Sequence, residues 1–150
     1  MRVLRMLLMP VLLVVTSCVA PHQFVVSEPS LLRSLQLRPE HEGVLLRAGP
    51  EWLAYVARNV DRISYYATPL VPVDDGRKIV GRAQVARGER LARIATGDQT
   101  PAEVAATIVH EAAHLEGVRA RGRTFDEEYA KRREEEFVRA LRQLSGVIVR

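Results

Sequence analysis

The fold is decided by residues 100–117, TPAEVAATIVHEAAHLEG, which predict the best-defined helix of the chain. Thr100 followed three residues later by Glu103 is a capping box, and Pro101 suits the first turn of a helix. Apolar residues at helical spacing predict one buried side, made of Val104, Ala105, Ile108, Ala112 and Leu115. Gly117 is expected to end this helix.

A second amphipathic helix is predicted after a short connection. Thr124 and Glu127 form another capping box at its start. Its apolar residues recur at helical spacing: Ala130, Phe137, Leu141 and Leu144. Because only about residues 118–123 join the two helices, we expect them to pack as an antiparallel hairpin.

The motif His110-Glu111-Ala-Ala-His114, an HExxH pattern, lies inside the first of these helices. Histidines at i and i+4 lie one above the other, so both imidazoles can reach one metal ion. Neutral imidazole suits Zn²⁺, and two protein ligands leave room for a third ligand and a water. Glu111 would then act as general base on that water. The alternative is a surface helix that carries two unrelated histidines.

The third metal ligand has several candidates. No His or Cys follows the motif, so the ligand must be a carboxylate or come from upstream. The antiparallel hairpin would bring about residue 128 to the level of His114, which leaves Glu127, Glu128 and Glu134 open. Glu127 could instead close the capping box with Thr124. Glu134 lies on the apolar stripe, where a carboxylate needs a metal or an Arg as its partner.

Over about residues 85–140 the chain resembles the gluzincin metallopeptidases. These share HExxH followed by a Glu on the next helix, in several families within an E-x-x-A pattern that Glu127 to Ala130 fits. The resemblance implies a zincin-like domain that hydrolyses peptide bonds in a peptide or protein substrate. It implies that zinc is held by His110, His114 and Glu127. Lys131 departs from the Asp or Asn that often follows the Ala.

The same resemblance implies how a substrate would bind. The strand before the motif helix is a sheet edge in these enzymes, and it pairs with an extended peptide. Residues 90–95 occupy that place here, with a purely structural edge strand as the alternative. A group that stabilises the tetrahedral intermediate is also expected. Four candidates stay open for this role: Tyr65, Tyr66, Tyr129 and Arg133.

The segments upstream of the motif predict the remaining elements. Pro50 opens a helix over 51–66 with an apolar stripe, while residues 31–48 suggest a short helix ended by Pro39 and a strand at 44–46. A turn is expected at 74–76, and a hairpin of two strands around Gly88 is expected within 77–96. We therefore expect an α+β domain over 31–150, with a short antiparallel sheet and the motif helix packed antiparallel to the last helix. His22 and His41 are expected at the surface.

Composition narrows the classes of protein. Hydrophobic residues make up 47% of the 150 residues, which is typical of a folded domain. The single Cys excludes a disulfide framework and a Cys-rich zinc module, and no apolar run reaches membrane-spanning length. The formal charge of +4 is spread along the chain and aromatic residues are only 5%, so we expect no nucleic-acid partner.

The first seventeen residues predict export. Arg2 and Arg5 precede an apolar run over 7–15, as in a signal peptide. Val15-Thr16-Ser17-Cys18 resembles the lipobox of bacterial lipoproteins, in which the Cys is acylated and becomes the new N-terminus. The resemblance implies a signal peptide over 1–17, an acylated Cys18 with a tether over 18–30, and a lipid anchor in the membrane. A plain signal peptide, or an anchor helix, is the alternative.

Two hypotheses follow for the mature chain. The first is a lipid-anchored, zinc-dependent metallopeptidase of the cell envelope. Val19 after the Cys suggests the outer membrane facing the periplasm, by resemblance to lipoprotein sorting. The second is a non-catalytic envelope lipoprotein in which a metal site is structural or degenerate. A closed site with four protein ligands would favour the second hypothesis. Only the first hypothesis requires Glu111, because a structural metal site does not need a general base.

Overall fold

The computed structural model of the chain describes residues 35–68, 79–124 and 126–145. Within them the protein is an α+β domain with four helices and a three-stranded sheet, as expected for the fold class. In chain order the elements are α1 (Pro39–Ala48), α2 (Pro50–Asn59), β1 (Arg62–Tyr66), β2 (Gly81–Ala86), β3 (Glu89–Ala95), α3 (Pro101–Arg121) and α4 (Glu127–Ser145).

Several predictions lie outside those ranges. They are the signal peptide over 1–17, Cys18 with its tether over 18–30, His22 and the turn at 74–76. None of the helices in the described part of the chain has the length and apolarity needed to cross a bilayer.

The sheet has the strand order β1-β3-β2. Strands β2 and β3 form the predicted hairpin, whose turn residues Arg87 and Gly88 both have positive φ, at 53° and 81°. Strand β1 pairs with β3 in parallel, so the sheet is mixed and the prediction of an antiparallel sheet was wrong in this respect. The added strand comes from residues that the sequence assigned to a helix.

The predicted helix over 51–66 ends at Asn59, and residues 62–66 form β1 instead. Val60 is already extended, and the Asn59 side chain donates a hydrogen bond to the Tyr55 carbonyl at 3.0 Å. The following Ile63, Tyr65 and Tyr66 favour a strand. Ile63 is buried in this strand and was expected to be buried in the predicted helix, so its place in the apolar stripe could not distinguish the two conformations.

The prediction for residues 31–48 was wrong in its strand. The short helix expected before Pro39 lies largely outside the described residues, of which Leu35 is helical. Pro39 begins α1, because proline is accepted in the first helical turn. Val44 to Leu46 lie in that helix and not in a strand. His41 is 3% exposed and not a surface residue. Its Nδ1 lies 3.1 Å from the Tyr65 hydroxyl, and burial lowers the pKa of its imidazole.

Helix α3 is the centre of the domain, since it packs against the other three helices and against β2 and β3. Its predicted start is confirmed, because Thr100 and Glu103 form the capping box. Its predicted end at Gly117 was wrong. The helix continues to Arg121 and ends at Gly122, which adopts the left-handed conformation with φ 73°.

Helices α3 and α4 pack side by side with the geometry expected for the hairpin. His110 contacts Glu134, while Glu116, further along α3, contacts Tyr129, which is earlier in α4. The two helices therefore run in opposite directions. Their shared interior joins the core of the domain, where the largest fully buried side chains are Phe137, Leu35, Leu45, Ile63, Ile94, Ile108 and Leu115.

Candidate metal centre

The histidines of the motif converge on one point between α3 and α4. His110 and His114 lie one turn apart and are mostly buried, and their Nε2 atoms are 3.2 Å apart. Glu127 reaches them from the first turn of α4. Its Oε1 lies 3.4 Å from Nε2 of His110, and its Oε2 lies 3.4 Å from Nε2 of His114.

These three residues could hold a metal ion. In a tetrahedral zinc site with bonds of about 2.0 to 2.1 Å, neighbouring ligand atoms are about 3.3 Å apart. The 3.2 Å between the two imidazole nitrogens matches one edge of such a tetrahedron, and Glu127 places one carboxylate oxygen 3.4 Å from each of these nitrogens. Two imidazoles and one carboxylate are also a donor set that suits zinc. The ligand group found in the described part of the chain therefore fits this ion.

Glu127 is available as a ligand because a different residue caps α4. The helix begins at Glu127, and Asp126 Oδ1 accepts a hydrogen bond from the Tyr129 amide at 2.8 Å. The predicted capping box of Thr124 with Glu127 was therefore wrong. Glu128 faces elsewhere and pairs with Arg132 at 3.3 Å.

Glu134 contacts the opposite side of the His110 ring. Its Oε2 accepts a hydrogen bond from Nδ1 of His110 at 2.9 Å, while Nε2 of that ring faces His114 and Glu127. Burial lowers the pKa of His110, but the bond to Glu134 and the surrounding carboxylates outweigh it, so the pKa is raised. A carboxylate on the second nitrogen of a ligating histidine fixes the tautomer and orientation of the ring.

Glu111 points from α3 toward the sheet. It is 5% exposed, and its carboxylate accepts a hydrogen bond from the backbone amide of Ala83 on β2. Burial raises the pKa of Glu111 to about 7, because loss of water disfavours its charged form more than His110 and the amide favour it. A carboxyl group with this pKa can accept and release a proton near neutral pH.

The site opens into a cleft of about 780 Å³ between β2 and the α3–α4 pair. The residues that line it are Ile79, Val80, Gly81, Arg82, Ala83, Thr107, His110, Glu111, His114, Thr124, Glu127 and Glu134. Strand β2 is the edge strand that borders the cleft, whereas β3 is the central strand. The prediction that residues 90–95 form the sheet edge was therefore wrong, because β1 covers the other side of β3.

The four candidates for stabilising a reaction intermediate lie outside this cleft. Tyr65 contacts His41, Tyr66 accepts a hydrogen bond from Arg93 at 3.1 Å, and the Tyr129 hydroxyl donates one to Glu116 at 2.7 Å. Arg133 stacks over the rings of Tyr55 and Trp52.

Sequence reasoning missed part of the site. Gly81 and Ala83 reach it through the tertiary fold, and no local pattern marks them. The spacing of Glu134 could have indicated its contact with His110. It lies two helical turns after Glu127 and therefore shares the face of α4 that meets the histidines.

Comparisons with known protein families, characterised proteins and solved structures gave no match to this chain.

Proposed function

We propose that this chain is a zinc-dependent metallopeptidase with a zincin-like domain, which hydrolyses peptide bonds in a peptide or protein substrate. The observation that carries the proposal is the triangle of His110, His114 and Glu127, with Glu111 beside it, at the wall of an open cleft. When bound, zinc supplies Lewis acidity toward the scissile carbonyl and makes water a stronger nucleophile at neutral pH.

The residues of the chain have separate roles in this reaction. His110, His114 and Glu127 hold the metal, and Glu134 orients the His110 ring. Glu111 takes a proton from the attacking water as the new carbon–oxygen bond forms. It returns that proton to the amide nitrogen as the carbon–nitrogen bond breaks, so one water yields one carboxylic acid and one amine.

The exposure of the site favours catalysis over a structural metal. Structural zinc sites are closed by four protein ligands, whereas catalytic sites keep a position open. In the described part of the chain the ligand group has three members, and Glu127 is 60% exposed on the cleft side. The competing proposal, a non-catalytic lipoprotein with a structural metal, would need a fourth protein ligand.

Strand β2 is the proposed docking edge for an extended substrate. The Val80 carbonyl accepts a hydrogen bond from the Ala95 amide at 2.8 Å, so the antiparallel pattern turns the amide and carbonyl of Gly81 and the carbonyl of Ala83 away from β3, while the Ala83 amide is bonded to Glu111. Those groups border the cleft next to Glu111. Addition of a peptide strand at this edge would bring its carbonyl toward the metal ligands.

We also propose that the domain is tethered to a membrane of the cell envelope. This part of the proposal rests on the sequence alone, through the signal peptide over 1–17 and the lipobox that ends at Cys18.

The purified chain is expected to bind about one equivalent of zinc and to cleave members of an unbiased peptide library. Elemental analysis measures the metal, and mass spectrometry of the digested library identifies cleaved bonds. A chelator should abolish cleavage, and added zinc should restore it. A chain that takes up no metal, or cleavage that is insensitive to the chelator, would contradict the proposal.

Glu134→Gln is expected to weaken zinc binding by about 10- to 100-fold, because such orienting partners have effects of this size. The amide can still accept the hydrogen bond from Nδ1 of His110, but it no longer favours the charge of the metal-bound ring. Competition with a chromogenic chelator measures the affinity. Glu135→Gln is the matched control, since Glu135 is exposed on the same helix outside the ligand group. Equal affinities for the two variants would exclude an orienting role for Glu134.

A further inference from the structure

Strand β2 approaches Glu111 closely at Gly81. A Cβ atom added to Gly81 would overlap Oε1 of Glu111 and would lie 2.6 Å from Cγ2 of Thr107. Gly81 is not among the glycines with positive φ, so its backbone conformation does not require a glycine. The missing side chain is therefore explained by the space that the Glu111 carboxylate and the Thr107 methyl group occupy.

The same strand also provides a hydrogen-bond donor to that carboxylate. The Ala83 amide is turned away from β3 by the alternation of the antiparallel ladder, and it donates to Glu111. Gly81 and Ala83 lie on the same face of β2, two residues apart. Strand β2 therefore leaves space for the Glu111 carboxylate at Gly81 and donates a hydrogen bond to it from Ala83.

We propose that Gly81 and the Ala83 amide are positioning elements for Glu111, so that the edge strand which borders the cleft also directs the general base toward the metal centre. This inference rests on the proposed function for the role of Glu111 as a base. Any side chain at residue 81 would push the carboxylate out of its position between β2 and the metal ligands.

The test begins with Gly81→Ala. A misplacement of about 1 Å in a catalytic group can cost about 100-fold in rate, and we expect a loss of kcat of that order with KM little changed. Zinc content should equal that of the parent, because the three ligands lie on α3 and α4. Gly43→Ala is the matched control, since nothing lies within 4 Å of its added Cβ. A Gly81→Ala variant with the parent kcat would overturn the proposal.

A second measurement does not depend on catalysis. Thermal unfolding of the parent, Gly81→Ala, Glu111→Ala and the double variant forms a double-mutant cycle. The added methyl should lower the Tm of the parent more than that of the Glu111→Ala chain, in which the carboxylate is absent. The contact with Thr107 is present in both backgrounds and cancels. Additive effects would overturn the proposed contact, and this outcome can be reached even when no peptide is cleaved.

Discussion

Glu111→Gln is expected to bind zinc like the parent chain and to lose about 1,000-fold in kcat, within the range for removal of a general base. Glutamine keeps the size of the side chain, and its carbonyl oxygen can still accept the hydrogen bond from the Ala83 amide. It cannot take a proton from water. The substitution therefore removes the proton transfer and leaves the metal ligands in place.

The measurement is steady-state hydrolysis of a peptide identified from the library, with zinc content determined on the same samples. Glu51→Gln, on an exposed residue of α2, is the control for the chemical change itself and should keep the parent rate. If Glu111→Gln cleaves as fast as the parent, the proposed role of Glu111 is wrong. If both variants and the parent bind zinc and cleave nothing, the structural-metal alternative becomes the better proposal.

The parts of the fold that were predicted correctly depend on local rules. The capping box of Thr100 and Glu103 involves residues one turn apart, and the buried side of α3 follows from helical periodicity. The hairpin around Gly88 depends on two turn residues with positive φ. In each case the residues that interact are also close in sequence, so the pattern contains the information.

The errors arose where distant segments meet. Residues 62–66 become a strand because each of them pairs with a residue of β3 that lies 29 positions later, and no feature of the segment itself predicts that partner. The assignment of the sheet edge failed for the same reason, since it required the position of β1. His41 was expected at the surface, but α1 turns it toward Tyr65 on that unforeseen strand.

In the candidate site too, the local features could be predicted from the sequence, whereas the contacts between distant segments could not. The two histidines could be paired from their spacing on one helix, and the antiparallel hairpin brought a glutamate of α4 to them. The choice between Glu127 and Glu134 depends on which nitrogen of His110 each one faces, and only coordinates contain that information. The contact of Gly81 with Glu111 joins a strand to a helix thirty residues away.

His114→Ala is expected to remove most of the zinc affinity of the chain. Structural zinc sites with about four ligands have binding free energies of about 10 to 16 kcal/mol, so each ligand is worth roughly 3 kcal/mol, or about 100-fold in affinity. The remaining pair, His110 and Glu127, would keep their own 3.4 Å contact without enclosing the ion on three sides.

His114→Ala is also expected to lose most of the increase in Tm that zinc binding gives the parent chain. A ligand at 100 times its Kd stabilises the folded state by about 2.7 kcal/mol, while at a concentration equal to its Kd the gain is only about 0.4 kcal/mol. At one zinc concentration the parent should therefore gain roughly 10 °C in Tm, and His114→Ala only about 1 to 2 °C.

His41→Ala is the matched control. It removes a buried histidine outside the ligand group, so its Tm should start lower and still rise with zinc as the parent does. A full rise in His114→Ala would mean that zinc binds elsewhere and that the site between α3 and α4 is not the metal centre.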